Sequence, residues 1–277
     1  MELGKYDLSG RTALVTGASG LLGFEHCAAL LENGADVILT DINSEKLMAT
    51  ENALKEKYQN SNILSLIMDV TDKNQIAQTN KYLLKENINL NILINNAAID
   101  PKVNSQDNLN ENTRLENFSL EQWNLEISVG LTGALLCSQI FGFQMAKNNK
   151  GGVILNIASD LSVISPDQRL YKNDDLPDDR QPVKPVTYSV IKSGLIGLTM
   201  YLSTYWINKN VRCNALSPGG VYVDQSAEFL DRIESLIPMG RMASSDEYRS
   251  TIQYLCSDAS SYLNGQNIVV DGGRSVL

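Results

Sequence analysis

The side chains best placed for chemistry are a tyrosine and a lysine four residues apart, Tyr188 and Lys192 in the run YSVIK, together with Ser159 at the end of the apolar run GGVILNIAS. On a helix, residues four apart share a face, so the Lys192 ammonium can lie beside the Tyr188 hydroxyl. A cation there favours the phenolate, which lets the tyrosine both take and return a proton. Ser159 can reach the same place and offer a hydroxyl to a substrate oxygen. The same spacing recurs at Tyr205 and Lys209, seventeen residues on from the first pair. That offset turns the two tyrosines roughly 100° apart around one helix. Tyr205 falls at the far end of a helix predicted over 187–207 and reads as a packing or surface residue. Tyr188 begins that helix, on the side where strands end.

A second chemistry is written in the opening run TALVTGASGLLG, residues 12–23. Gly17, Gly20 and Gly23 stand between a strand pattern and an apolar helical pattern, with Ser19 and Leu22 among them. In such a turn one glycine lets the chain reverse, one lets backbone approach a pyrophosphate, and one lets helix and strand pack closely. The helix start behind them supplies free N–H groups and a partial positive charge for an anion. A plain strand-to-helix turn would look similar, but Asp41 ends a second strand run, ADVILT, at about the 20-residue separation of a dinucleotide fingerprint. A carboxylate there accepts the ribose hydroxyls and repels a 2′-phosphate. The expected cofactor is therefore NAD rather than NADP.

The elements that must position these residues alternate without an internal repeat. A helix over 44–58, capped by Ser44, leads to the strand run NILSLIMDV, which ends at Asp69 and Val70. A helix over 73–86 leads to NLNILI and the turn NNAA, Asn95 to Ala98. A polar, asparagine-rich loop follows over 100–117, and Ser119 with Gln122 forms a capping-box pattern for a long helix through 146. The Ser159 strand comes next, then a proline-containing acidic insertion over 165–185 with Asp174, Asp175, Asp178 and Asp179. Like charges and prolines keep that insertion out of regular structure, and it reads either as a disordered insertion or as a lid. After the Tyr188 helix come the strand VRCNAL, the turn SPGG, a helix over 246–256 and the last strand NIVV. Alternating short strands and helices imply a single α/β domain with a doubly wound parallel sheet. Ligands in such sheets sit beyond the carboxyl ends of the strands, which lines up Gly17, Asp41, Asp69 and Asn95 along one edge.

Composition bounds the partners. The 277 residues are 43% hydrophobic and 20% charged, with a formal net charge of −9. An acidic chain argues against nucleic acid, and no apolar run approaches the length of a membrane span. The polar start, MELGKYDLSGR, has no secretory pattern, so a cytoplasmic location is expected. Cys27, Cys137, Cys213 and Cys256 lie far apart in apolar patterns, read as reduced core residues, and suggest no metal. His26, the single histidine, reads as packing or surface.

TGASGLLG, Asp41, the Asp69–Val70 pair, NNAA, Ser159, YSVIK, NALSPGG at 214–220 and VDGG at 270–273 occur in the order of the short-chain dehydrogenase/reductase family, which the sequence resembles over nearly its whole length. The resemblance implies a seven-stranded Rossmann-type sheet, a nicotinamide cofactor, a Ser–Tyr–Lys site and a homodimer or homotetramer. It assigns Ser159 to hold the substrate oxygen, Tyr188 to exchange its proton, and Lys192 also to bind the nicotinamide ribose. Pro218, Gly219 and Val221 would line the nicotinamide pocket, with Asn95 and Ala97 on the adenosine side. Three departures stand out. The glycines follow TGxxGxxG, the spacing of the extended branch; the usual NNAG is NNAA; and Gly130 stands where an asparagine usually completes a tetrad. Without that asparagine the long helix is predicted to run more regularly. The Ser159-to-Tyr188 separation is also about twice the usual value. The expected activity is hydride transfer between NAD(H) and a secondary alcohol or ketone. The polar rim loops suit a sugar, polyol or nucleotide-sugar, and the pattern is similar to members that modify flagellin or surface glycans. The rival expectation is an NAD-binding redox sensor or scaffold without turnover.

Overall fold

The computed structural model describes residues 4–99, 113–148 and 150–277. Seven parallel strands form one sheet in the order β3-β2-β1-β4-β5-β6-β7. They are β1 (Thr12–Thr16), β2 (Asp36–Asp41), β3 (Ile63–Ile67), β4 (Leu90–Asn95), β5 (Gly152–Ile157), β6 (Val211–Pro218) and β7 (Asn267–Val270). The strand order reverses direction between β1 and β4, the switch point where ligands of such sheets bind. Helices α1 (Leu21–Glu32), α2 (Ser44–Lys57), α3 (Lys73–Lys85), α4 (Leu120–Lys147), α5 (Val186–Tyr205), α6 (Ala227–Glu234) and α7 (Arg249–Cys256) complete the fold.

Both faces of the sheet are covered, which is why its central strands read as unbroken apolar runs rather than alternating ones. One core packs Val15, Leu39 and Leu155 against Cys27, Leu30, Ile252 and Leu255 of α1 and α7. The other packs Leu14, Leu93 and Ile154 against Ile76, Leu83, Phe141 and Met145 of α3 and α4. Helix α4 is long and apolar enough to cross a bilayer, yet Cys137, Phe141 and Met145 are sealed against the sheet, so it is a core helix.

Local capping departs from expectation in two places. The cap of α2 is Asn43, whose side chain accepts from Lys46 N at 2.9 Å, and Ser44 is already the first helical residue. Ser119 does cap α4, accepting from Gln122 N at 3.1 Å, but the Gln122 side chain donates to Glu126 at 2.6 Å instead of returning to the cap. The reciprocal box is formed by Ser244 and Glu247.

A larger difference lies inside α4. The expected regular helix at Gly130 is replaced by a π-helical turn over Ser128–Thr132, and a second one follows over Ser138–Gly142. The asparagine is therefore not what distorts this helix. A Cβ on Gly130 would come within 2.8 Å of Ile191 Cγ2, so α5 presses closest just where the turn widens. An asparagine at 130 would have to displace Ile191.

Candidate active site

At the carboxyl edge of the sheet, the glycine turn is built by close backbone approach. Gly17 has φ +62°, and a Cβ on it would meet Ala97 Cα at 2.8 Å; a Cβ on Gly23 would meet Gly17 O at 2.2 Å. Asn96 fastens this turn to the NNAA turn, its Nδ2 donating to the carbonyls of Thr16 and Gly17, both at 3.0 Å. Thr16 Oγ1 accepts from the amides of Asn96 and Ala97, each at 3.0 Å. Helix α1 begins at Gly20 and Leu21 without any side-chain cap, leaving its first N–H groups for a ligand. Ser19 Oγ is buried and has no hydrogen-bond partner among the described residues. Asp41 completes the cradle: Oδ2 accepts from Ser19 N at 3.1 Å and Oδ1 from Asn43 N at 2.9 Å. A glycine cradle, an uncapped helix start, an orphan hydroxyl and a carboxylate at the end of β2 fit a dinucleotide.

The flanking residues divide between site and scaffold. Asp69 accepts from Thr71 N at 2.8 Å and Thr71 Oγ1 at 2.7 Å, while Val70 is buried under α4. The Asn95 side chain turns into the sheet, donating to Asn156 at 2.8 Å and Ser138 at 3.1 Å, so its backbone and Ala97 form that edge. Gly219 N donates to Val270 O at 2.8 Å, Tyr248 OH donates to Gly219 O at 3.0 Å, and Val221 bridges to Ala243. Pro218 and Gly219 thus end β6 in a fixed bend.

Tyr188 and Lys192 meet at the end of β5, the strand that leads to Ser159. Lys192 is buried on α5, and its Nζ donates to Ile157 O at 2.8 Å, the last residue of β5 and two before Ser159. The same Nζ lies 5.6 Å from the Tyr188 ring centroid, and Lys184 Nζ lies over that ring at 3.9 Å. Tyr205 is exposed at the other end of α5, where it stacks on Tyr201 with centroids 5.6 Å apart. Glu126, buried on α4, accepts from Thr187 Oγ1, the residue before Tyr188. Glu126 and Arg274 reach the site through long-range contacts, to Thr187 and Asp160, that no local pattern marks, whereas Lys184 and Asp160 stand beside Tyr188 and Ser159 in the chain without a motif of their own.

The acidic insertion is ordered. Gln181 holds it internally, donating to Asn173 O at 2.8 Å and Leu176 O at 2.6 Å and accepting from Asn173 N at 2.8 Å. Leu170 packs with Ile233, Ile237 and Met242, and the Tyr171 and Phe229 rings lie 5.9 Å apart, so the insertion and α6 share one small core. Arg114, at the end of the first rim loop, donates to Asp178 O at 3.0 Å. The rest of that loop, 100–112, lies outside the described residues.

The four cysteines are buried and unpaired, and burial pushes the thiols of Cys137, Cys213 and Cys256 up to about 12, which keeps them unreactive. His26 is fully buried, with no partner for either ring nitrogen among the described residues. Burial, and secondarily the Lys192 charge, lower its pKa to about 3. Between about pH 6.5 and 3 the unfolded chain binds a proton that the folded chain refuses, so this part of the stability is complete above 6.5 and lost as pH falls. At about pH 5 the expected penalty is about 2 kcal/mol. Urea denaturation should show His26→Leu losing about that much less stability than wild type between neutral pH and about pH 5. An identical acid loss in both proteins would exclude this residue as the cause.

The family profile described as short chain dehydrogenase matches residues 11–171, and one described as Enoyl-(Acyl carrier protein) reductase matches residues 180–275. The chain belongs to the short-chain dehydrogenase family. It is 27% identical to a D-threitol dehydrogenase of Mycolicibacterium smegmatis, over 98% of this chain and 95% of that protein. It is 29% identical to post-translational flagellin modification protein A of Campylobacter coli, over 96% of this chain and 98% of that protein. Among solved structures, a gluconate 5-dehydrogenase from Burkholderia cenocepacia in complex with NADP and tartrate has the same fold, with TM-score 0.85, 24% identity and 99% coverage of both chains.

Proposed function

We propose that this member of the family is an NAD-dependent oxidoreductase that interconverts a secondary alcohol and a ketone on a polyol or sugar-type substrate. The observation that carries the reading is Lys192 bonded to the end of the Ser159 strand, one helical turn from Tyr188 and at the same sheet edge as the glycine cradle. A bound nicotinamide supplies the hydride acceptor and donor. The chain supplies orientation and the proton: Ser159 holds the substrate, Tyr188 takes the proton of the reacting hydroxyl during oxidation and returns it during reduction, and Lys192 keeps the phenolate accessible. Gly17, Ser19, Gly20, Leu22, Gly23 and Asp41 would hold the dinucleotide, with Asp69, Val70, Asn95 and Ala97 beside the adenosine and Pro218, Gly219 and Val221 beside the nicotinamide.

The D-threitol relative supports a polyol, and the flagellin-modification relative supports extending the class to surface-glycan sugars and nucleotide-sugars. Reduction of NAD against a panel of polyols, sugar acids and nucleotide-sugars tests the activity directly. A protein that binds NADH yet turns over no member would be the sensor or scaffold instead. That rival drew on Gly130, and the π turn kept at Ser128–Thr132 removes the expected helix change from its support.

The cofactor choice rests on Asp41, since a fold relative holds NADP. A 2′-phosphate beside that carboxylate would place like charges in contact. Calorimetric titration should give NADH an affinity at least about tenfold above NADPH, a difference of about 1.4 kcal/mol. Equal affinities would undo the assignment.

Leu125, Leu135 and Phe143 on α4 and Met200 and Tyr201 on α5 are exposed apolar side chains on neighbouring helices. A homodimer or homotetramer that pairs these helices would cover them. Sedimentation velocity should give a multiple of the chain mass, reduced to one copy in Phe143→Glu/Tyr201→Glu. A wild-type monomer would remove the oligomer from the reading. Buried free cysteines are in keeping with a cytoplasmic setting.

A further inference from the structure

The side chain that holds the Ser159 hydroxyl is that of its neighbour, Asp160. Asp160 is only 3% exposed, and its Oδ1 accepts from Ser159 Oγ at 2.8 Å and from Leu161 N at 2.8 Å. Its Oδ2 accepts from Arg274 Nη1 at 2.8 Å. Ser159 Oγ itself accepts from Leu161 N at 3.2 Å. A carboxylate can only accept, so the single hydroxyl proton of Ser159 points at Asp160, and the free position on Ser159 Oγ is a lone pair.

Arg274 comes from the C-terminal tail, 114 residues away along the chain. The tail is shaped to deliver it: Asp271 Oδ1 accepts from Gly273 N at 2.9 Å and Oδ2 from Ser275 N at 2.7 Å. Gly272 and Gly273 also lie against Ile237 and Pro238, just after α6. A buried pair that served only to dock this tail would not need its carboxylate on the Ser159 hydroxyl. Asp160 does both.

We propose that Asp160, anchored by Arg274, is a positioning residue for Ser159 that turns the serine's acceptor side toward the substrate, so that Ser159 accepts from a substrate hydroxyl next to the one whose proton Tyr188 takes. The proposal rests on the dehydrogenase reading above. Two buried charges without each other are costly, so removal of Arg274 frees the carboxylate to pull Ser159 out of register.

The test is a double-mutant cycle on the full-length protein with the best substrate of the panel. Arg274→Gln should lower kcat/KM by about 10–100-fold while NADH affinity stays within about twofold of wild type. In a Ser159→Ala background the same substitution should cost less than about twofold, because the group it acts through is gone. Asp160→Asn/Arg274→Gln keeps an acceptor for Ser159 without either charge and should recover kcat/KM to within about fivefold of wild type. If Arg274→Gln does not fold, Asp160→Ala/Arg274→Met carries the same cycle, since replacing both partners leaves no orphan charge. A full loss repeated in the Ser159→Ala background would reduce the pair to tail docking. Failure of wild type on the whole panel would remove the dehydrogenase reading itself.

Discussion

Tyr188→Phe is expected to fold, bind NADH with wild-type affinity and lose about two to four orders of magnitude in kcat. Phenylalanine keeps the ring beneath Lys184 and near Lys192 but has no proton to exchange. Tyr205→Phe, at an exposed ring stacked on Tyr201, should leave kcat unchanged. Single-turnover kinetics together with calorimetry separate binding from chemistry. Turnover that survived in Tyr188→Phe would overturn the assignment of the proton-exchanging group, and an effect at Tyr205 would mean that the wrong copy of the motif had been chosen.

Those two tyrosines also mark where sequence reasoning is strong. The motif YSVIK and its duplicate differ in position along a helix and in distance from a strand end, which are local properties, and the structure shows both tyrosines at the helix ends expected for them. The glycine turn and Asp41 were legible for the same reason: each states a steric or electrostatic demand within a few residues. The parallel sheet followed from the alternation of apolar runs, since burial on both faces leaves its trace in every central strand. What escaped is non-local. Nothing in the run SDLS announces that Asp160 meets Arg274, and nothing around Glu126 announces Thr187. The π turn at Gly130 escapes as well, since the residue packed against it, Ile191 on another helix, is remote in sequence. Capping at Asn43 rather than Ser44 is a smaller case: adjacent residues both able to cap differ only in where the backbone turns helical.

The acidic insertion shows how such contacts change an expectation about function. Its two ends sit next to Ser159 and Tyr188, and loops longer than about 12–15 residues in compact domains are usually functional or disordered. Here the middle is neither extended nor loose, because Leu170 is buried with Ile233, Ile237 and Met242. Arg232 on α6 also donates to the backbone of the insertion, at 2.5 Å to Lys172 O. The insertion and α6 therefore pack as one unit, and removing either half is expected to unseat the other. Replacing 167–184 with a short Gly/Ser bridge is expected to lower kcat/KM for the true substrate by about an order of magnitude or more, through lost water exclusion and lost substrate contacts. NADH affinity should stay within about twofold, since the glycine cradle and Asp41 lie on the other half of the sheet. Stability should fall as well, by about 2–3 kcal/mol for the uncovered Leu170 pocket. Leu170→Ser separates the two effects, because it loosens this packing while keeping every polar group of the insertion. A deletion that left kcat/KM unchanged would mean that the segment only packs against α6, and the substrate class inferred from its polar rim would lose that support.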